Sequence, residues 1–235
     1  VEIAASHDRP VGVIDAAVDS AVRKGLLLAP SSKLRRNASK LQSYTVSTEA
    51  SIEAEVFTLQ WHITHRCDLH CKHCYDRSDR KDVDPKQGLE VLDQMRRFCL
   101  GHRVAGQVSF SGGNPFLHPD FLTLYQAAHE RNLNLAILGN PVSEAQVDAM
   151  LKIAKPAFFQ ISLEGLAIHN DSIRGPGHFK RSCAFLDRLR ELGLFSMVML
   201  TLTRDNIDQV LPLAEFLRDR TDAFNFNRLS TVGEG

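Results

Sequence analysis

From Val56 onward the chain alternates short β-branched or aromatic runs with stretches of helical period, and this alternation constrains the fold more than any other feature. Six runs read as strands: Val56 to Ile63, Gln107 to Phe110, Leu133 to Leu138, Ala157 to Leu163, Phe195 to Leu202 and Ala223 to Arg228. Helix starts are marked between them. Asp84-Pro85-Lys86-Gln87 and Ser143-Glu144-Ala145-Gln146 each offer a capping side chain with Gln three residues on. A helix near Pro119 to Asn132 is expected to carry its proline in the first turn, and another is expected to start around Pro212, because proline is excluded from a helix interior. Strands separated by helices of this length imply βαβ crossovers and a parallel sheet. The expected fold is α/β, a partial (β/α)6 parallel barrel, in which functional residues gather on loops at the C-terminal ends of the strands.

Residues 1–52 differ from this pattern. Val11 to Leu28 predicts an amphipathic helix, and a Pro-Ser-Ser break follows at Pro30 to Ser32. Between Arg23 and Lys40 lie six basic residues and no acidic one, which suits a clamp for an acidic peptide or, more simply, a solvated linker. The expected division is an N-terminal extension over 1–52 and a core domain over 53–235. Val1 stands where an initiator Met is expected and the end falls in a glycine-rich turn at Gly235, so a trimmed chain is expected.

Charge and hydropathy exclude some functions. The 28 basic residues balance 28 acidic ones, so no overall field draws the chain to nucleic acid or an anionic membrane. The apolar runs are too short to span a bilayer, and the first 25 residues lack the pattern of a secretion signal. A cytoplasmic location is expected. The five cysteines are an odd number, and three fall within eight residues, which suits a metal or cluster better than a disulfide framework. Cys99 and Cys183 lie on apolar helix stripes and read as small buried hydrophobes.

The first strand is followed by Cys67-Asp68-Leu69-His70-Cys71-Lys72-His73-Cys74-Tyr75. Three thiolates at this Cys-x-x-x-Cys-x-x-Cys spacing can hold three irons of a cubane and leave the fourth open. Zinc on two or three of these cysteines with His70 or His73 is the alternative, although a second ligand pair is missing.

This loop resembles that of the radical S-adenosylmethionine (SAM) superfamily. The resemblance implies a 4Fe-4S cluster on Cys67, Cys71 and Cys74, with SAM on the open iron, reductive cleavage of SAM and a 5'-deoxyadenosyl radical. The family usually has an aromatic before the third cysteine, where this chain has His73; Tyr75 follows in the same loop. Ser111-Gly112-Gly113-Asn114-Pro115 resembles the family's Gly-Gly-Glu-Pro element, in which backbone carbonyls receive the methionine ammonium, with Asn114 in place of Glu. On that analogy glycine leaves room for SAM to approach. Ser162-Leu163-Glu164-Gly165 and the segment through Arg174-Gly175 to Phe179 resemble the Ser-Leu-Asp-Gly to Gly-Ser-Phe succession of radical SAM peptide-modifying enzymes. By that resemblance Ser162 and Arg174 would grip SAM, with Glu164 and Asn140 as further contacts and Thr201 to Thr203 bordering the pocket. His118 reads as a helix-start residue. Arg228 to Gly235 resembles the exit of members that continue into a C-terminal SPASM domain. The function implied is maturation of a ribosomal peptide or protein, supplied with electrons by flavodoxin or ferredoxin. Synthesis of a modified haem or quinone is the alternative, followed by a non-catalytic iron-sulfur or zinc module.

Overall fold

The computed structural model describes residues 6, 9, 11–24, 54–78 and 80–229. Internal contacts divide the chain into two units, Val1–Ala54 and Glu55–Gly235. In the first, helix α1 spans Val11–Arg23. It begins where the sequence pattern places it. Residues 25–28 of the expected helix, the Pro-Ser-Ser break, most of the basic run and the final turn at 230–235 lie outside the described residues.

The second unit is built on six strands, β1 Val56–Thr64, β2 Ala105–Gly112, β3 Asn134–Leu138, β4 Phe158–Ser162, β5 Ser196–Leu202 and β6 Ala223–Arg228. All six expected strands are present, and they lie side by side in chain order. Every neighbouring pair is parallel. The crossovers carry α2 Pro85–His102, α3 Phe121–Glu130, α4 Glu144–Leu151, α5 Ala167–Arg174 with α6 His178–Glu191, and α7 Val210–Leu217. Sequential order with crossovers of one hand curls such a sheet, and because β1 and β6 are not paired it stays an open, partial barrel.

Parallel strands packed under crossover helices bury an apolar face, which accounts for the apolar residues that recur through β2 to β5. Phe110, Ile137, Phe159, Ile161, Val198 and Leu200 are fully buried. They belong to one core with Leu92 and Cys99 of α2, Leu124 of α3, Met150 of α4, Leu186 and Leu189 of α6, and Leu213 of α7. Each large side chain withdrawn from water in this way stabilises the fold by roughly 1.5–3 kcal/mol. Cys99 is one of these core residues, as expected. Cys183 is only half-buried, because the inner face of α6 is formed by Ser182, Phe185, Leu186 and Leu189 and leaves Cys183 at its edge.

The helix ends show which local signals act. Asp84 caps α2, its side chain accepting from the Lys86 and Gln87 amides. Ser143 and Gln146 close a reciprocal capping box on α4. Pro119 is not in the first turn of α3: Asp120 is the N-cap, and the proline precedes it. α7 begins at Val210, two residues before Pro212, after a 3-10 turn over Ile207–Gln209. The third helical position has no intrahelical amide bond to lose, so proline is tolerated there. Among the described residues no helix is long and apolar enough to cross a membrane.

Candidate functional site

A cavity of about 600 Å3 opens at the C-terminal ends of the strands. Its floor is made where β1 and β2 end together. Thr64 pairs with Gly112 across a register shift, and the Gly113 and Asn114 amides donate to the Thr64 and Arg66 carbonyls at 3.0 and 2.8 Å. A Cβ on Gly112 would stand 2.0 Å from Thr64 O, and one on Gly113 would stand 2.2 Å from Arg66 O. Gly112 also has φ +137°, in the region L side chains avoid. The glycines are therefore required by the close packing of β2 against the start of the cysteine loop, a reason that stands beside the expected one, room for a ligand.

Cys67, Cys71 and Cys74 all line this cavity, together with Gly112, Gly113, Asn140, Ser162 and Arg174. His73, Tyr75 and Thr201 line it as well. Two expected contacts do not: Asn114 and Glu164 lie behind its wall, 2 and 1 % exposed. Asn114 donates from Nδ2 to Asp68 Oδ1 at 3.0 Å, and its own Oδ1 accepts the Phe116 amide at 3.3 Å. It joins the loop to the end of β2.

Glu164 is a hub. Its Oε1 accepts from Arg174 Nε at 2.8 Å and from Nη2 at 2.5 Å, and Oε2 accepts the Thr201 amide at 3.0 Å. His73 Nε2 lies 3.1 Å from the same Oε1, within ion-pair reach but without the direction of a hydrogen bond. Burial alone would raise the Glu164 carboxyl; His73 and the Arg174 guanidinium outweigh it and hold the group below the usual carboxylate range. Arg174 is thus committed to Glu164 instead of being a free fork for a ligand carboxylate. Its remaining Nη1 lies 3.8 Å from Cys71 Sγ. The Lys72 amide donates to Ile173 O at 3.0 Å, so the middle of the cysteine loop rests on the end of α5. Burial pushes the Cys71 thiol up, and Arg174 pulls it back down in part.

The zinc alternative fits poorly. Among the described residues no three His, Cys, Asp or Glu side chains converge as they must on a single ion. His70 is engaged by Arg77, which also reaches the Cys71 carbonyl, and His73 faces Glu164. A cubane needs no such convergence, since each thiolate binds its own iron. Three thiols on one cavity wall, beside a floor too tight for any side chain, fit that group.

Some residues escape the sequence reading. Gln60, Gln160, Met199 and Asn227 line the cavity, and only their inward phase on the strands could have shown it. Asp68 stands inside the cysteine motif, where the spacing gives it no role of its own. His118, read as a helix-start residue, is buried, accepting the Asp120 amide at Nδ1 and meeting Val83 O with Nε2 at 2.9 Å. Thr203 bonds with Asn206 Oδ1 and does not line the cavity.

Comparison with known proteins agrees with this geometry. The radical SAM superfamily profile matches residues 61–217. Mycofactocin maturase MftC of Mycobacterium ulcerans is 30% identical over 185 residues, 75% of this chain and 48% of that protein. Pre-heme d1 synthase of Dinoroseobacter shibae is 30% identical over 185 residues, 74% of this chain and 44% of that protein. The chain spans about half the length of the curated relatives it matches. Among solved structures, Streptococcus suis SuiB bound to S-adenosylmethionine shares the fold at a TM-score of 0.62 and 23% identity, covering 75% of this chain and 41% of that one. A profile match over more than half of the sequence, spanning the loop that carries the three thiols, places this chain in the radical SAM superfamily.

Proposed function

We propose that this chain is the catalytic core of an enzyme that cleaves SAM reductively and uses the resulting 5'-deoxyadenosyl radical to modify a ribosomal peptide or protein. The family's cofactors are a 4Fe-4S cluster and SAM. Bound here, they would supply the one-electron cleavage of the sulfonium, and the protein would supply position and exclusion of water. Cys67, Cys71 and Cys74 are the proposed cluster ligands. Gly112, Gly113, Asn140, Ser162, Arg174, His73 and Tyr75 are the proposed SAM surroundings, since all line one cavity with the thiols. Residues 53–235 form the proposed core and 1–52 an extension.

The observation that carries this reading is the single cavity shared by three thiols and the strand ends. Peptide maturation is favoured by the likeness to mycofactocin maturase and by a SuiB structure described as bound to precursor peptide SuiA. A second reading, cofactor synthesis, is favoured by equal identity to pre-heme d1 synthase and by 26% identity to the Fe-coproporphyrin III synthase of Methanosarcina barkeri. The electron would come from flavodoxin or ferredoxin in the cytoplasm.

The test is anaerobic loading with iron and sulfide, then dithionite and SAM, with 5'-deoxyadenosine as the readout. The expected result is product from the intact chain, and loss of both the cluster absorbance and product in Cys71→Ala. A fully loaded cluster that yields no product would leave an iron-sulfur binding module. Adding a candidate precursor peptide or an iron porphyrin separates the two enzymatic readings by which one changes mass.

A further inference from the structure

The residue after Cys67 is a carboxylate held by two amides. Asp68 Oδ1 accepts from Asn114 Nδ2 at 3.0 Å and from Asn140 Nδ2 at 2.8 Å. The asparagines come from different strand exits, β2 and β3, and are 2 and 7 % exposed. Asn140 Nδ2 also lies 3.4 Å from Cys67 Sγ, and the Leu69 amide reaches that sulfur at the same distance. Asp68 itself is exposed. It borders a shallow second cleft of about 460 Å3, whose lining shares no residue with the main cavity.

The network fixes the orientation of both amides. A carboxylate only accepts, so each Nδ2 must face Asp68, and Asn114 Oδ1 is then free for the Phe116 amide, as observed. Two buried amide groups thus depend on one carboxylate for their partner. The dependence runs both ways. A carboxylate at position 114 would be buried and would confront Asp68, a like-charge contact, in a cleft that Arg181 and Arg188 also line. Asn114 and Asp68 are a matched choice, and Asn140 extends it to the sulfur.

Resting on the proposal that Cys67 binds the cluster, we infer that Asn114, Asp68 and Asn140 form an amide–carboxylate–amide clamp whose role is to position the Cys67 sulfur and give it an N–H donor. They are positioning residues. Donors to a cluster sulfur stabilise the reduced, more negative cluster and so raise its reduction potential.

The test uses the anaerobically loaded chain, with two readouts besides turnover: the rate of iron loss to a chelator, and the reduction potential from an EPR-monitored titration. Asn114→Glu, which restores the family's residue, is expected to lose iron about tenfold faster or more, since charge-assisted bonds are lost and a buried repulsion gained. Adding Asp68→Asn to it gives the introduced carboxylate an amide partner and is expected to bring the rate back to within about twofold of the unaltered chain. Asn140→Leu keeps the side chain's bulk and is expected to move the potential to a more negative value at full iron content. The clamp is overturned if the double variant loses iron as fast as Asn114→Glu alone, or if Asn140→Leu leaves the potential where it was. If the unaltered chain takes up no cluster, the proposed function falls first and the clamp with it; a loaded chain with indifferent variants overturns only the clamp.

Discussion

The two sides of the cysteine loop are held by opposite chemistries. On the Cys67 side an exposed carboxylate gathers two buried neutral amides, and water from the adjoining cleft can reach it. On the Cys71 side the carboxylate itself is buried. Glu164 is 1 % exposed, and the Arg174 side chain it holds is 10 % exposed. The difference teaches how each side should fail. A partly hydrated network loses hydrogen bonds singly, whereas a buried ion pair that loses one member leaves a charge with nowhere to go.

The largest expected effect follows from that asymmetry. Glu164→Leu strands Arg174 and the Thr201 amide and should cost about 3–5 kcal/mol in urea unfolding, with loss of the cysteine loop's seat on α5. Asp68→Leu should cost about 1–2 kcal/mol, because solvent can take over part of its work. Equal losses from the two variants would break the comparison.

Next in size is the floor on which both sides stand. Gly112→Ala puts a Cβ against the Thr64 carbonyl in a backbone region closed to alanine, and about 3 kcal/mol should be lost. Gly101, near the end of α2, has nothing within 4 Å of the same added atom. There the substitution should be neutral or stabilise by up to about 1 kcal/mol through helix propensity. Similar unfolding midpoints for the two variants would remove the packing argument for Gly112.

Much of this frame was legible in the sequence. The two periods marked the strands and helices because the strands alternate with crossover helices in chain order, and the three cysteines were close together in the chain. What stayed hidden was pairing between strand exits. Asn114 looked like a ligand contact with a shorter, uncharged side chain, but it meets Asp68, 46 positions away, and no periodicity reports a contact between side chains of different crossovers. Glu164 read as facing the mouth, but Arg174, His73 and Thr201 draw it behind the wall. Residues 167–174 read as a string of motif residues, yet they form α5: eight residues between Gly165 and Gly175 are too few to declare a helical period.

The smallest expected effect concerns pH, and it sharpens the contrast because the group that titrates is buried. His178, 1 % exposed at the start of α6, has its pKa lowered to about 4, first by burial and then by the charges of Arg174 and Arg181, with Asp171 and Asp68 opposing. Its folded value lies below the unfolded 6.5, so the unfolded chain binds the proton first. The stability it lends is complete above pH 6.5 and declines as pH falls from 6.5 toward 4. Asp171 and Glu164 are held below the usual carboxylate range, so their own linked loss sets in as pH falls toward the unfolded carboxylate values of 3.8 and 4.5 and adds little at higher pH. Between pH 7.5 and 5.5 the unaltered chain should lose about 1 kcal/mol by this route, and His178→Asn should lose less over the same interval. The measurement is the difference in urea midpoints at the two pH values, compared between the proteins. Parallel declines would move the pH dependence to some other group and leave the buried side no more sensitive to protons than the exposed one.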